Sequence, residues 1–202
     1  MLLNRFEKAM MNNPARALIQ RHYELPKLLR MGGPLRPDAF VLEIGGGRGV
    51  GTELLLTRFD SAKVTAIDLD PHMVRLARRR LAPFGERASV RVADATSLPF
   101  EDDSFDAVFD FGIIHHVPNW RAALDEVHRV LRPGGRLYAE EVLEAFILNP
   151  VWRRLLAHPI EDRFDRAGFA RAVDRAGLRL ATTDQLGTWF AWLIADKPLR
   201  AG

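Results

Sequence analysis

The sequence has no cysteine, few lysines and no long apolar run, and each of these scarcities excludes a class of protein. Without cysteine the protein has no disulfide, no thiolate metal site and no cysteine nucleophile. The longest unbroken apolar run, 189–195, is far shorter than the ~20 residues of a membrane-spanning helix. The N-terminus also lacks an apolar segment followed by a small-residue cleavage site, so we expect a cytoplasmic protein.

The charge balance is nearly even, with 29 basic and 26 acidic residues, and only four of the basic residues are lysines. The arginines are scattered, and no basic run is interleaved with aromatic residues as a surface for single-stranded nucleic acid requires. The densest cluster, Arg78-Arg79-Arg80, lies on the polar face of a predicted helix that begins at Pro71. We therefore expect no nucleic-acid partner.

Predicted strands and helices alternate from residue 38 to the end of the chain. Alternation of this kind is typical of a mostly parallel sheet that is covered by helices on both faces. The last two predicted strands, 178–184 and 188–195, are joined by only three residues, too few for a parallel crossover, so we expect them to pair antiparallel. The predicted fold class is α/β: a three-layer, doubly wound, Rossmann-like sheet of seven strands, mostly parallel and closed by a C-terminal antiparallel hairpin.

Before the first core strand, residues 1–37 are predicted to form a helical extension to the main domain, 38–202. Asn12-Asn13 before Pro14 is typical of a helix start, and Gly32-Gly33-Pro34 of a helix end. Seven basic against two acidic residues give the extension a net charge of +5. It is long enough to fold back over one edge of the sheet, and it is therefore a candidate lid.

The most informative stretch is 41–51, Val-Leu-Glu-Ile-Gly-Gly-Gly-Arg-Gly-Val-Gly, where a buried strand breaks into a glycine-rich turn before a helix. Glycine permits positive φ and a close approach of a ligand to the main chain. The amides at the start of the next helix offer donors to a polar or anionic ligand group. The spacing does not fit the dinucleotide fingerprint, because Val50 replaces its third glycine, nor the phosphate loop, which needs a nearby lysine.

An acid follows at the end of the next predicted strand, 63–68. Asp68 lies 21 residues after Gly47, close to the ~20 residues at which the acid of a second strand meets ribose hydroxyls. The neighbouring Asp70 precedes Pro71 and is the better helix cap. We therefore assign Asp68 to a ligand with an unphosphorylated ribose.

Three more motifs follow in order: Val92-Ala93-Asp94-Ala95, Phe105-Asp106-Ala107-Val108 and Leu131-Arg132-Pro133-Gly134-Gly135. Together with the glycine turn and Asp68, they resemble the class I S-adenosylmethionine-dependent methyltransferases over about residues 38–140. Within this family, the sequence most resembles the small-molecule methyltransferases of ubiquinone and menaquinone biosynthesis. Arg48 departs from the family pattern, and we expect it to point outward. The resemblance implies S-adenosylmethionine as cofactor, bound by Glu43, Gly45, Gly47, Asp68, Leu69, Asp94, Ala95 and Phe111.

The same resemblance puts the candidate catalytic residue, His116, in the loop after the fourth strand, with His115 as second choice. Histidine acts as a base near neutral pH. Glu140 and Glu141 end the fifth strand, where alternation turns one side chain to the cleft, although we expect a helix cap or a surface pair. These four residues do not predict a metal site, because adjacent histidines on an extended loop point apart.

The predicted function is therefore in-line transfer of a methyl group to a small organic acceptor. The segment 145–161 is apolar and aromatic, so as a cover for the site it favours a partly apolar acceptor. The alternative is a non-enzymatic protein on the same fold that binds S-adenosylmethionine or S-adenosylhomocysteine. An oxidoreductase on a dinucleotide-binding fold is disfavoured, because Val50 replaces the third glycine of the dinucleotide fingerprint. The acceptor atom and the oligomeric state stay open, as does peripheral contact of the basic extension with a membrane surface.

Overall fold

Seven strands form a single sheet in the order β3-β2-β1-β4-β5-β7-β6 in the computed structural model, which describes residues 13–60, 62–155 and 161–200. Strands β1 to β5 pair parallel, whereas β7 lies between β5 and β6 and pairs antiparallel with both. The predicted α/β class, with its mostly parallel sheet and C-terminal hairpin, is confirmed. The strands are β1 (Phe40–Ile44), β2 (Lys63–Asp68), β3 (Ala88–Val92), β4 (Phe105–Phe111), β5 (Leu131–Val142), β6 (Arg179–Leu186) and β7 (Phe190–Asp196).

Helices cover both faces of the sheet, as a doubly wound fold requires. One core cluster packs two helices against the sheet through Trp120 and Phe169, and the other packs three helices on the opposite face through Leu28, Leu55 and Val74. None of the helices in the described ranges is long and apolar enough to cross a membrane. They are α1 (Pro14–Ile19), α2 (Leu25–Gly32), α3 (Val50–Arg58), α4 (Pro71–Leu81), α5 (Trp120–Val130), α6 (Glu144–Ile147), α7 (Trp152–Leu155) and α8 (Arg166–Arg175).

The inner strands contribute to both core clusters because successive side chains of a strand point to opposite faces. In β1, Leu42 and Ile44 belong to the cluster that contains α5, and Val41 belongs to the cluster that contains α3. In β7, residues 191–195 are all buried, and they likewise contribute to both core clusters. Trp189 belongs to the predicted strand 188–195, but it lies in the hairpin turn and is 42% exposed.

The N-terminal segment is helical over 14–32, with a π turn, Gln20–Glu24, between α1 and α2. Asn13 caps its first turn by accepting a main-chain hydrogen bond of 2.8 Å. The inner face of the segment packs into the core, where Leu28 is wholly buried. The rest of the predicted extension, 1–12, lies outside the described residues, so the boundary of the extension and its use as a lid stay predictions.

In the main domain, three regions differ by two residues or more from their predicted bounds, namely the strand 136–143, the hairpin turn 185–187 and the helix 162–176. Strand β5 begins at Leu131, because the residues before Arg136 continue the extended chain through an irregularity in its pairing with β4. The hairpin turn is 187–189, because β6 continues to pair with β7 up to its last residue. Helix α8 begins at Arg166, four residues later than predicted, since Asp165 caps it by accepting a main-chain hydrogen bond of 2.6 Å.

Candidate functional site

A cavity of about 330 Å³ lies at the carboxyl edge of the sheet, beyond the ends of β1 and β4. These strands are neighbours in the sheet although β2 and β3 separate them in the sequence, so the winding of the chain reverses there. Open α/β sheets bind their ligands at such a reversal. The cavity lining contains every residue that the sequence predicted for the site, namely Glu43, Gly45, Gly47, Asp68, Leu69, Asp94, Ala95, Phe111 and His116.

The glycine turn between β1 and α3 forms one side of the cavity. Gly45, Gly47 and Gly49 have φ values of 67°, 52° and 80°, a region that other residues rarely adopt. A side chain at Gly45 would overlap Ile113, whereas one at Gly47 would meet no atom within 4 Å. The space beside Gly47 is thus open to a ligand, while Gly45 is needed for close packing against the loop after β4.

Glu43 lies behind this turn, and only 2% of its surface is exposed. Its Oε2 accepts a hydrogen bond from the Thr52 hydroxyl of α3. Burial raises the pKa of Glu43 to about 8; the Thr52 hydrogen bond opposes this rise, and the nearby charge of Asp68 adds to it. At neutral pH the Glu43 carboxyl is therefore mainly protonated, and a positively charged ligand group beside it would favour the ionised form.

Asp68 ends β2 and faces the glycine turn. Its Oδ2 accepts a hydrogen bond from the Gly47 amide, and its Oδ1 accepts one from the Asp70 amide, both at 2.8 Å. We had expected Asp68 to be reserved for a ligand, but it also holds the turn in place. A carboxylate can accept several hydrogen bonds, so these two main-chain contacts do not by themselves exclude a ligand hydroxyl. Asp70 caps α4, as predicted, by accepting a hydrogen bond from the His72 amide.

The opposite side of the cavity follows the ends of β2 and β3. Leu69, which is 42% exposed, lines the cavity together with Met73 of α4. Asp94 follows β3, and its Oδ1 accepts hydrogen bonds of 2.8 Å from both the amide and the hydroxyl of Thr96. Ala95 lines the cavity beside it. Apolar side chains around one polar group are the usual lining for a heterocyclic ligand.

Two histidines lie on a short 3₁₀ turn, Ile114–His116, after β4. His116 lines the cavity, and its amide donates a hydrogen bond of 2.9 Å to the Ile113 carbonyl. The His115 ring is instead held inside the protein, where its Nδ1 lies 2.6 Å from Glu141 Oε2. The arrangement favours His116 as the histidine that meets a ligand.

Glu140 and Glu141 are not the surface pair that we expected, since both are buried. Glu141 accepts hydrogen bonds from the amides of Ile114 and His115, at 2.8 and 3.2 Å, and so holds the 3₁₀ turn. Burial raises the pKa of both glutamates to about 7, and burial with the charge of Glu141 raises the pKa of Asp110 well above its usual value. The surface expectation failed because β5 is an inner strand that is covered on both faces.

The expectation that His115 and His116 point apart on an extended loop was wrong. The rings of His115 and His116 do not point apart, since their centroids are 4.2 Å from each other and their planes are tilted by 39°. The 3₁₀ turn, in place of an extended loop, brings them together. Within the ranges that the structure describes, no group of three or more histidine, aspartate or glutamate side chains is placed to hold a metal ion.

We expected the N-terminal segment to be a candidate lid, but we did not predict that its side chains line the cavity. Arg16 and Gln20 line it, and so does Arg48, which we expected to point outward. A signal was present in the spacing. Arg16, Gln20 and Glu24 recur at every fourth position, on the same helix face as the core residue Leu28, and polar residues on a face that enters the core indicate a site.

Residues 42–139 match the family model described as a methyltransferase domain. The match runs from β1 into β5 and includes the glycine turn, Asp68 and Asp94. The chain carries a class I S-adenosylmethionine-dependent methyltransferase domain. The resemblance drawn from the sequence motifs is thereby confirmed, and the cofactor of this methyltransferase domain is S-adenosylmethionine.

Relatives of the methyltransferase domain act on different acceptors by name. The chain is 44% identical over 98 residues to demethylmenaquinone methyltransferase of Clavibacter sepedonicus, covering 48% of this chain and 38% of that enzyme. It is 35% identical over 147 residues to malonyl-[acyl-carrier protein] O-methyltransferase of Halorhodospira halophila, covering 66% and 49%. The chain thus spans about half or less of these curated relatives. A methyltransferase structure from Aquifex aeolicus shares the fold, with a TM-score of 0.75 at 21% identity over 95% of this chain and 97% of that one.

Proposed function

We propose that this protein transfers a methyl group from S-adenosylmethionine to a small organic acceptor. The observation that carries the proposal is the cavity at the reversal of the sheet. It brings together the glycine turn, Asp68 from β2, Asp94 from beyond β3 and His116 from beyond β4. Four separate segments of the chain thus supply the groups that such a cofactor and an acceptor need.

The lining of the cavity supports one orientation of the cofactor. The open space beside Gly47 suits the methionine part, because the ligand can approach the main chain closely there. Asp68, at the end of β2, suits the two ribose hydroxyls. Leu69, Asp94 and Ala95 suit the adenine ring, which has apolar faces and a polar edge. Phe111 then lies at the end where the methyl group is transferred.

When bound, S-adenosylmethionine supplies a methyl group that its positive sulfur activates for displacement in line. The protein therefore acts mainly by holding the acceptor in the correct position, which supplies up to about 7–11 kcal/mol in favourable cases. The parts of the chain that would hold the acceptor are well packed. Phe111 is buried, and Glu141 accepts a hydrogen bond from the Ile114 amide at the start of the 3₁₀ turn that carries His116.

His116 is the proposed general base for an acceptor that keeps its proton until the reaction, such as a phenol or an alcohol. It is 4% exposed and lines the same cavity as Phe111, so an acceptor that enters the cavity can meet it. For an acceptor that has already lost its proton, His116 only shapes the pocket. A general base typically accounts for ~10²–10⁴ in rate.

The acceptor is proposed to be partly apolar. Beyond β5, the Phe146 ring stacks on Trp152 at 5.1 Å and meets Trp189 at 5.6 Å, at the same edge of the sheet as the cavity. Residues 156–160 of this segment lie outside the described ranges.

Peripheral contact with a membrane surface is also part of the proposal. Leu18 and Ile19 of α1 are apolar side chains that are 58% and 50% exposed, and such side chains can contact a membrane surface.

A direct test is to incubate the purified protein with S-adenosylmethionine that carries a deuterated methyl group, together with extracts of cell metabolites. Mass spectrometry should then find a small molecule that has gained the label, in equal amount to S-adenosylhomocysteine. The Asp68→Ala variant serves as the control and should form much less product. Binding of S-adenosylmethionine without any labelled product would favour the non-enzymatic alternative, and no binding at all would refute the proposal.

A further inference from the structure

The inner face of the N-terminal helical segment enters the cofactor cavity. Arg16 and Gln20 both line the cavity, together with Gly45 and Gly47 of the glycine turn. Both residues lie outside the matched methyltransferase domain, 42–139. Gln20 also begins the π turn, and π turns are rare elements that occur frequently at functional sites.

Arg16 is a largely buried cation, with 19% of its side chain exposed. Its guanidinium pairs with Glu24, donates a 3.4 Å hydrogen bond to the Phe111 carbonyl and lies 3.9 Å from Glu140. These contacts fix the guanidinium at the end of β4. A guanidinium has five N–H donors, more than these contacts use.

The two glutamates do not fully compensate the charge of Arg16. Burial raises the pKa of Glu140 to about 7, so this carboxyl is only partly ionised at neutral pH. Among the residues that the structure describes, Glu24 then supplies the closest counter-charge. A ligand carboxylate beside Arg16 would therefore meet a cation with donors to spare, which is the usual partner of a carboxylate in proteins.

Gln20 lies on another side of the cavity, near the start of α3. A side-chain carbon added at Gly51 would come within 2.8 Å of the Gln20 amide nitrogen and would overlap the Glu43 carboxyl. The side chains of Gln20 and Glu43 thus both reach the start of α3. The helical segment bridges the crevice, with Arg16 at the end of β4 and Gln20 beside the acid of β1.

A cation, an amide and a buried carboxyl around one part of a cavity complement an α-amino acid group, which has a carboxylate and an ammonium on the same carbon. We propose that Arg16 and Gln20 form the amino-acid end of the cofactor site. Arg16 binds the carboxylate of the methionine part, and Gln20 with Glu43 adjoins its ammonium group. This inference rests on the proposed function, and it makes the N-terminal segment part of the cofactor site.

The test compares ligands that differ only at the amino-acid end. Calorimetric titration of the unmodified protein uses S-adenosylhomocysteine and its decarboxylated analogue, S-adenosyl-3-thiopropylamine. Loss of the carboxylate should weaken binding about tenfold or more, because hydrogen bonds to charged groups are among the strongest. Equal affinity for the two ligands would overturn the inference, and no variant needs to fold for this result.

The variant Arg16→Gln then assigns the effect to one side chain. It should lose about tenfold or more in affinity for S-adenosylhomocysteine, yet bind the decarboxylated analogue within about twofold of the unmodified protein. Arg21→Gln is the matched control, since Arg21 is exposed on the same helical segment, and it should change neither affinity. Equal weakening of both ligands by Arg16→Gln would overturn the assignment. Failure of the unmodified protein to bind either ligand would instead refute the proposed function itself.

Discussion

The Gly47 amide donates a hydrogen bond of 2.8 Å to Asp68 Oδ2, so the acid that ends β2 is tied directly to the glycine turn after β1. The second carboxylate oxygen accepts a hydrogen bond from the Asp70 amide at the start of α4. One side chain thereby joins the glycine turn, the end of β2 and the first turn of a helix. Its removal should affect both the ligand and the loop.

Asp68→Ala should lower the affinity for S-adenosylhomocysteine at least tenfold, since it removes a charged acceptor for two hydroxyl groups, each worth roughly 1.5–3 kcal/mol. It should also lower the free energy of unfolding by about 1–3 kcal/mol, because the Gly47 amide loses its acceptor. Calorimetry and urea unfolding measure the two effects. Asp60→Ala, at an exposed position, is the control, and an unchanged affinity in Asp68→Ala would show that the ribose lies elsewhere.

Two glycines of the same turn should respond differently to the same substitution. Both have positive φ, so alanine costs a similar backbone strain at each, roughly 1 kcal/mol. At Gly47 the added methyl group enters open space, whereas at Gly45 it overlaps Ile113. Gly47→Ala should therefore abolish cofactor binding with little further loss of stability, and Gly45→Ala should lower the melting temperature markedly. Cofactor binding by Gly47→Ala at the unmodified affinity would show that the methionine part does not pass this residue.

Cofactor choice provides a further check on the glycine spacing. The turn has Val50 where a dinucleotide fingerprint has its third glycine, and Val50 is the first residue of α3 in the structure. We expect micromolar or tighter binding of S-adenosylmethionine and S-adenosylhomocysteine and no measurable binding of NAD. Calorimetric titrations with the three ligands under one set of conditions decide the matter. Tight NAD binding without S-adenosylmethionine binding would overturn the assignment of the cavity.

The sequence predicted the parts of the site that depend on local order along the chain. One side of the cavity is formed within eleven residues, by the end of a strand, a glycine turn and the start of a helix. The cap of α4 is equally local, since Asp70 directly precedes Pro71. Parallel strands place their carboxyl ends at one edge of the sheet, so the residues that follow β1, β2 and β4 meet there without further information.

The parts that the sequence did not predict depend on long-range packing. Arg16 reaches the Phe111 carbonyl across 95 residues of chain. The four-residue spacing of polar residues indicates that one helix face enters the core, but it does not show which edge of the sheet that face meets. Glu141 was expected at the surface because charged residues are mostly exposed. Its burial follows from the position of β5 between β4 and β7, which strand alternation alone does not reveal.

The raised pKa of Glu43 predicts how stability depends on pH. The pKa is about 8 in the folded protein against an ordinary value of 4.5, so between these values the folded state holds a proton that the unfolded chain releases. This contribution to stability is complete below pH 4.5 and is lost as the pH rises to 8. Over this window the loss is at most about 1.4 kcal/mol per pH unit for one proton.

Glu43→Gln carries no such proton, so its free energy of unfolding should fall less steeply between pH 5 and 8 than that of the unmodified protein. Urea unfolding at four pH values within this window measures the slopes. The buried acids Asp110, Glu140 and Glu141 keep a residual slope in both proteins. Glu86→Gln, at an exposed position, should leave the slope unchanged. Identical slopes for Glu43→Gln and the unmodified protein would show that Glu43 is ionised in the folded state.

The two adjacent histidines should separate catalysis from structure. His116 lines the cavity, whereas the His115 ring lies 2.6 Å from Glu141 Oε2 and helps to hold the 3₁₀ turn. His116→Asn keeps much of the shape and some hydrogen bonding but removes the base. With a phenol or alcohol acceptor its turnover should fall ~10²–10⁴-fold, while the affinity for S-adenosylhomocysteine stays within a few-fold.

His115→Asn is the matched comparison, since it changes the same residue type one position earlier. It should lower the melting temperature through the loss of the Glu141 contact and should retain the pH dependence of turnover. His116→Asn should instead lose the limb of the pH profile near neutrality, where histidine titrates. If His116→Asn keeps turnover within about threefold of the unmodified protein, no base operates at this position, because holding the acceptor in line then suffices for the reaction.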